Sequence, residues 1–303
     1  MTNSAPFARP EKSTTVRTTK PVPLSLRAVR SGMQVLSRVS PEGAAAVAER
    51  MFLTPRRRER PAAEIALLER ARRTTLPTRY GTLAAWEWGD TPSGAPTVLL
   101  VHGWEGRGAQ LGALVPLLTS MDFRVVTFDA PGHGDSPGSR SSFFHFADAV
   151  QHAARAFGPL HAIVSHSMGG AVTVWASRDE ALARRLVLIA PPIDLRDFTR
   201  AFSKTLGLPE EVRGRVHRRL GTRFGVPIED ARAERIAATL HGPLLVVHDQ
   251  DDREVPIACG EAIARAWPGS ELLRTRGLGH QRILRDPNTL QAVVRFVAQK
   301  GQA

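Results

Sequence analysis

Short apolar runs alternate with amphipathic segments along most of the chain. Apolar runs with the length of buried strands occupy residues 97–101, 123–128, 160–165, 185–190, 244–248 and 271–275. A further β-type segment covers residues 80–89. Apolar residues at helical spacing predict helices over residues 109–120, 143–157, 171–176, 257–267 and 288–299. This alternation predicts an α/β fold with a mostly parallel central sheet and helices on both faces.

One interval interrupts the alternation. Residues 192–241 carry helical patterns and no clear strand. An insertion that leaves after one strand and returns to the next predicts a small helical cap. In open parallel sheets the chemistry lies beyond the carboxyl ends of the strands, so the cap is expected to cover the site.

The N-terminal part of the chain has a different pattern. Residues 1–23 are rich in Ser, Thr, Pro, Arg and Lys, which predicts a disordered tail. Residues 24–78 predict a basic helical extension with helices over 24–39, from 41 to about 53, and from 61 to about 73. These helices are expected to pack on the α/β body (residues 79–303), to dimerise, or to lie on an anionic membrane surface.

Charge is concentrated in the same region. The chain carries a net charge of +12, of which +10 falls in residues 1–80 and +2 in residues 81–303. The run Arg56-Arg57-Arg58 is interpreted as a solvated connector. Zinc-ligand spacing, aromatic RNA-binding motifs and helix-turn-helix patterns are missing from the sequence, so no nucleic-acid partner and no metal are expected.

Cysteine usage and hydropathy bear on localisation. A single cysteine, Cys259, cannot form an internal disulfide, and no window holds 18 consecutive apolar residues. The N-terminus carries no pattern of a secretory signal. These features predict a cytoplasmic protein without a transmembrane helix.

The strand at 160–165 leads into the sequence Ser165-His166-Ser167-Met168-Gly169 and then into a helix. A tight turn of this kind exposes its central residue, so Ser167 is a candidate nucleophile. A serine hydroxyl needs a base to take its proton and an acid to orient that base. The loop after the last predicted strand offers His280 as the base.

The loop after the strand at 244–248 offers three competing acids, Asp249, Asp251 and Asp252. Asp194, which follows an earlier strand, is a further candidate. The order Ser, Asp, His along the chain is the same whichever acid of the later loop is used.

Five segments together resemble the α/β-hydrolase superfamily in its serine esterase, lipase and thioesterase branches: residues 101–104, 129–136, 165–169, 248–256 and 279–280. The resemblance covers roughly residues 80–303 and implies the α/β-hydrolase fold, with Ser165 standing where the family usually has Gly. It implies a catalytic triad of Ser167, His280 and Asp252, the acid four residues after His248. It also implies an oxyanion hole formed by the backbone N–H groups of Trp104 and Met168.

Other residues near these motifs are substrate-binding candidates, namely His102, His166 and Glu105. Glu105 is expected to face solvent, whereas an inward-pointing Glu105 would disfavour anionic substrates. The implied activity is hydrolysis of a small-molecule carboxylic ester through an acyl-enzyme, with no cofactor. Two alternatives stay open, a thioesterase or acyltransferase and a non-catalytic binding protein of the same fold.

Overall fold

The computed structural model describes residues 24–89 and 94–299. The predicted tail at 1–23 and most of the turn between residues 90 and 94 lie outside these residues. The sheet contains β1 (Arg72–Thr78), β2 (Gly81–Trp88), β3 (Thr97–Val101), β4 (Arg124–Phe128), β5 (Leu160–His166), β6 (Ala183–Ile189), β7 (Leu244–Asp249) and β8 (Glu271–Thr275).

The strands form one sheet in the order β1-β2-β4-β3-β5-β6-β7-β8. The pairs β1–β2 and β2–β4 are antiparallel and all the others are parallel. This confirms the mostly parallel sheet. The chain passes from β3 to β4 on one side of β3 and then crosses to β5 on the other side. The carboxyl ends of β3 and β5 therefore lie side by side at the point where the strand order reverses, which is where ligands bind in such folds.

The described helices are α1 (Leu24–Val39), α2 (Pro41–Phe52), α3 (Ala62–Glu69), α4 (Val115–Thr119), α5 (Phe143–Phe157), α6 (Met168–Ala176), α7 (Leu195–Leu206), α8 (Glu210–Phe224), α9 (Ala233–Ala237), α10 (Ile257–Ala266), α11 (Gly279–Arg282) and α12 (Pro287–Ala298). Short 3-10 helices cover Gly108–Leu114 and Ile228–Asp230. In the described ranges, none of the helices has both the length and the apolar character needed to span a bilayer.

Each face of the sheet has its own apolar core. Leu99 and Val101 belong to a cluster with residues of α5, α6 and α10. Val98 and Leu100, which alternate with them along β3, belong to a second cluster with residues of α4 and α12. Successive residues of a strand point to opposite faces, so helices on both sides bury the whole strand, as predicted.

Two predicted helices differ from the structure. The helix expected to reach about residue 73 ends at Glu69, and residues 72–78 form the edge strand β1 instead. The helix expected over 109–120 is a 3-10 helix followed by the short α4, with a non-helical residue at Leu111. Pro116 has no N–H to donate and Gly112 is a poor helix former, which explains the interruption.

Helices α7, α8 and α9 lie between β6 and β7 and form the cap region. The N-terminal helices pack on it, because α2 contacts α8 and α1 contacts α7. Three alanines of α2 are completely buried, which allows a close approach: Ala44, Ala45 and Ala48. Of the three placements considered for these helices, the structure therefore shows packing on the body of the chain.

The connector after α2 is also attached to the body. Arg57 donates to the carbonyl oxygens of Ser136 at 2.5 Å and Gly138 at 2.8 Å. Arg60 pairs with the buried Asp129 at 2.7 Å and with Asp135 at 3.0 Å. Arg57 is exposed, as a solvated connector would be, but its guanidinium also satisfies carbonyl groups of a loop.

Candidate active site

The turn between β5 and α6 holds Ser167 in an unusual backbone conformation. Its φ is 52° and its ψ is −128°, and it is the residue immediately before α6. A non-glycine residue in this region is strained, and such strain concentrates at functional sites. The Ser167 N–H donates to the carbonyl of Ile189 at 2.9 Å and so ties the turn to the neighbouring strand β6.

Close packing around the turn explains its small residues. A Cβ atom on Gly169 would lie 2.4 Å from the carbonyl oxygen of His102 and 2.8 Å from that of Val101, so α6 rests directly on the end of β3. Ser165 is fully buried, and its hydroxyl donates to the carbonyl of Val187 at 3.2 Å. The Ser that replaces the usual Gly therefore fits because a neighbouring strand accepts its hydrogen bond.

Two backbone N–H groups flank Ser167 with free hydrogen-bonding capacity. Met168 is the first residue of α6, so its N–H has no partner inside the helix. Trp104 lies in the loop after β3, and its N–H donates to no acceptor within the described residues. The resemblance implies both residues as oxyanion-hole donors. The structure places Met168 directly after Ser167 at the start of α6, and Trp104 directly after Gly103, where an added Cβ would lie 3.0 Å from the Ser167 Cβ.

Asp252 is the acid that contacts the histidine. His280 Nδ1–H donates to Asp252 Oδ2 at 2.7 Å, and the carboxylate is completely buried. Asp252 Oδ1 accepts the N–H groups of Glu254 at 2.8 Å and Val255 at 2.9 Å. Burial acts to raise the pKa of Asp252, but these donors, His280 and the nearby His248 together hold it well below its usual range.

The other candidate acids have different partners. Asp249 accepts hydrogen bonds from the Thr275 hydroxyl at 2.7 Å and the Leu278 N–H at 3.1 Å. Asp251 accepts from the Gly277 N–H at 3.0 Å. Both carboxylates join the acid loop to the loop that carries His280. Asp194 caps the N-terminus of α7.

Ser167 and His280 line one cavity of about 570 Å³ at the carboxyl ends of the strands. This volume lies within the range of roughly 300–1,000 Å³ that is typical of ligand pockets. Within the described residues no hydrogen bond joins the Ser167 hydroxyl to His280 Nε2. Catalytic hydrogen bonds are often long before substrate binds. The cavity that both side chains line is therefore what connects Ser167 with His280 in this structure.

The two histidines proposed as substrate contacts differ in position. His166 lines the cavity, and its Nε2–H donates to the carbonyl of His280 at 3.0 Å. Its Nδ1 is buried and has no partner in the described part of the chain. Burial lowers the pKa of His166 to about 3, so the ring is neutral and Nδ1 is a free acceptor.

His102 does not reach the cavity, which corrects its selection as a substrate contact. The ring is fully buried, and Nδ1–H donates to the carbonyl of Gly103 at 2.6 Å. Its Nε2 accepts the Ala130 N–H at 3.0 Å. Since β3 and β4 are neighbours, His102 joins the loops that follow them and holds the loop of Trp104 in place.

Glu105 lines the cavity, but its charge is balanced. Arg56 Nε donates to its carboxylate at 2.9 Å, and Arg58 lies 3.5 Å away. Burial acts to raise the pKa of Glu105, and the hydrogen bonds from Arg56 lower it below its ordinary value. Two guanidinium groups therefore balance the negative charge that Glu105 brings to the cavity.

The cavity has further lining residues that the sequence did not assign to the site. Those from the cap and the C-terminal loops are Phe198, Glu254, Arg282, Leu284 and Arg285, and those from the N-terminal segment are Arg56, Arg58 and Glu64. Arg282 and Arg285 follow His280 closely in the sequence and could have been found from that proximity. The N-terminal residues carry no local signal, since only the tertiary fold brings them to the site.

Comparisons with known proteins find similar sequences among hydrolases. The family model described as serine aminopeptidase, S33, matches residues 93–228. A pimeloyl-[acyl-carrier protein] methyl ester esterase from Xanthomonas campestris pv. campestris is 27% identical over 246 residues, covering 67% of this chain and 95% of that protein. The protein of the same name from Methylococcus capsulatus is 46% identical over 48 residues, and the match spans only 18% of its length.

Among solved structures, an esterase from Pyrococcus furiosus superimposes with a TM-score of 0.62 and 19% identity. The match covers 81% of this chain and 98% of the esterase. At this level of identity the likeness shows the fold. The chain therefore has the α/β-hydrolase fold, and the matched family model and the esterase-named relatives point to a hydrolase.

Proposed function

We propose that the protein is a serine hydrolase that cleaves a carboxylic ester through an acyl-enzyme intermediate. The observation that carries the proposal is the buried hydrogen bond of 2.7 Å between His280 and Asp252, at the edge of the cavity that Ser167 also lines. A buried carboxylate that orients a histidine beside a strained serine is the arrangement that serine acyl transfer requires.

In the proposed reaction His280 Nε2 takes the proton of Ser167 as Oγ attacks the ester carbonyl. Asp252 fixes the ring so that Nδ1 carries hydrogen and Nε2 is free to accept. The N–H groups of Met168 and Trp104 stabilise the negative oxygen, and loss of one such donor typically lowers the rate about 10²–10³-fold. His280 then protonates the leaving alcohol, and water releases the acyl group by the same steps.

The relatives support ester hydrolysis over other reactions of this fold. The similar proteins from Xanthomonas and Methylococcus are named methyl ester esterases. A serine at position 167 also differs from the aspartate that dehalogenases and epoxide hydrolases carry at this turn.

Covalent labelling tests the proposal. A fluorophosphonate probe should label the wild-type protein at Ser167, as located by peptide mass spectrometry, and Ser167→Ala should abolish labelling. Ser165→Ala is the matched control, because Ser165 is two residues away and fully buried. Folded wild-type protein that stays unlabelled would contradict a serine nucleophile.

The charge of the cavity favours a second candidate, a thioesterase or acyltransferase acting on an anionic carrier. Five arginines border the cavity and only three glutamates, so positive charge is in excess. Arg282 and Arg285 lie on the side of His280, where the leaving group must sit to receive its proton. A phosphate-bearing leaving group, such as a carrier-bound thiol, would be attracted there.

Comparing two thioesters with the same acyl group separates this candidate from a simple esterase. One leaving group carries a phosphate and the other is its neutral analogue. An enzyme that acts on an anionic carrier should have a higher kcat/KM for the phosphorylated thioester, and the difference between the two substrates should decrease with added salt. Equal values at low salt would count against it.

A further inference from the structure

A second chamber of about 280 Å³ adjoins the catalytic cavity. The two share Arg56, Trp104, Glu105 and Phe198 in their walls. This chamber is smaller than the roughly 300–1,000 Å³ of a pocket that holds a whole ligand, so it suits one part of a substrate.

The chamber is mainly apolar, whereas the catalytic cavity is lined by many charged groups. Its apolar wall consists of Met51, Phe52, Phe143, Met168, Leu195, Phe198 and Phe202. Phe52 from α2 and Phe202 from α7 meet edge to face with centroids 5.3 Å apart. Met51, Phe52, Phe198 and Phe202 are only partly buried, so apolar surface remains available inside the chamber.

The chamber is placed to receive the acyl side of a substrate. Trp104 and Met168, whose N–H groups face the developing negative oxygen in the proposed reaction, both border it. Ser167 and His280 border the other cavity, from which the leaving group departs. An ester whose carbonyl oxygen points to the two N–H groups can therefore direct its acyl chain into the chamber and its alcohol toward His280.

One wall of the chamber comes from the N-terminal segment, and ion pairs hold that segment on the cap. Glu49 of α2 is almost fully buried and accepts from Arg219 at 2.6 Å and Arg223 at 2.5 Å. The Arg30 side chain donates to the carbonyl of Thr205 at 2.6 Å. The Leu53 carbonyl accepts the N–H of Ser141 at 2.8 Å, which joins the end of α2 to the loop before α5.

The geometry assigns this chamber, which lies between α2 and α7, as the binding site for an apolar acyl chain. Met51, Phe52, Thr54 and Arg56 of the N-terminal segment line one side of it, so this segment takes part in substrate selection. The assignment rests on the proposed function for the identity of the bound group. Each methylene that enters the chamber should raise kcat/KM about fourfold, equivalent to about 0.8 kcal/mol.

The test compares p-nitrophenyl acetate with p-nitrophenyl hexanoate. The wild-type protein should prefer the hexanoate, and Met51→Trp, which fills the chamber, should lower the hexanoate-to-acetate ratio of kcat/KM at least about tenfold. Met121→Trp is the matched control, because Met121 is 45% exposed and lies in the turn between α4 and β4. This control should keep the wild-type ratio.

Two outcomes overturn the assignment while leaving ester hydrolysis intact: no preference for the longer ester, or equal ratios for the two tryptophan variants. Direct binding decides the matter without turnover. Hexanoate, followed by NMR titration of Ser167→Ala, should bind more tightly than acetate, and adding Met51→Trp should remove the difference. Equal binding of the two acids to Ser167→Ala would overturn the chamber even if no ester were hydrolysed.

Discussion

The two carboxylate oxygens of Asp252 have different partners. Oδ1 accepts two backbone N–H groups of its own loop, and Oδ2 meets His280 at 2.7 Å. The first contact fixes the carboxylate so that the second has a set direction. The resemblance to the α/β-hydrolases favoured this acid over Asp249 and Asp251. The folded loops show that those two carboxylates bind groups that precede His280, whereas Asp252 binds the histidine itself.

Asp252→Asn should lower kcat/KM for ester hydrolysis by about 10⁴-fold, because an amide holds His280 in the wrong tautomer. The matched control is Asp251→Asn, whose amide oxygen can still accept the Gly277 N–H. It should stay within a few fold of wild type. Steady-state kinetics with circular dichroism as a check of folding compares the two, and equal losses would contradict the assignment of Asp252.

Three histidines near the site are buried without charge, and this makes stability depend on pH. Burial lowers the pKa of His102 to about 4 and that of His133 and His166 to about 3. In the unfolded chain these rings take up protons near pH 6.5, whereas the native state does not. Their contribution to the free energy of unfolding should therefore be complete above pH 6.5 and should decrease as the pH drops toward 4.

His102→Gln should remove about one of the protons taken up on unfolding. The slope of the free energy of unfolding against pH should then decrease by about 1.4 kcal/mol per pH unit near pH 5. Glutamine keeps a donor and an acceptor in place of the ring. Urea unfolding of both proteins between pH 7 and 4.5 measures the slopes. An unchanged slope would show that His102 is not kept neutral by burial.

At the scale of the element, the sequence predicted the inner strands of the sheet well and the edge strand β1 poorly. The apolar runs allowed the strands to be predicted closely because burial on both faces leaves a continuous apolar stretch. β1 was missed because Leu76 is its only buried residue and most of its other side chains are polar. Pairing with β2, which the sequence pattern does not encode locally, makes it a strand.

Gly169→Ala should separate α6 from β3, because the added Cβ would lie 2.4 Å from the His102 carbonyl oxygen. We expect a loss of about 1–3 kcal/mol in the free energy of unfolding and reduced labelling of Ser167. Gly214→Ala in α8 is the control, since its nearest neighbour lies 3.8 Å away, and it should stabilise by up to about 1 kcal/mol. Chemical denaturation compares them, and similar effects would refute the close contact.

At the scale of the whole molecule, contacts distant in sequence complete the site. Glu49 and Arg219 are far apart along the chain, yet their pairing holds α2 on the cap. The sequence predicted the basic N-terminal helices but could not choose among their placements. The apolar face of an amphipathic helix can be buried against the same chain, a second copy or a membrane, and its sequence does not distinguish these partners. The α/β body was more predictable, since each of its motifs follows a strand whose position the apolar pattern gives.

The central claim is that Ser167, His280 and Asp252 act as one unit although separate loops supply them. The most direct test is kcat for p-nitrophenyl ester hydrolysis by Ser167→Ala, His280→Ala and the double variant. Residues of one catalytic unit are not additive, so each single change should cost about 10⁴–10⁶-fold and the double change no more. Losses that multiply in the double variant, or a Ser167→Ala protein that keeps its activity, would contradict the account.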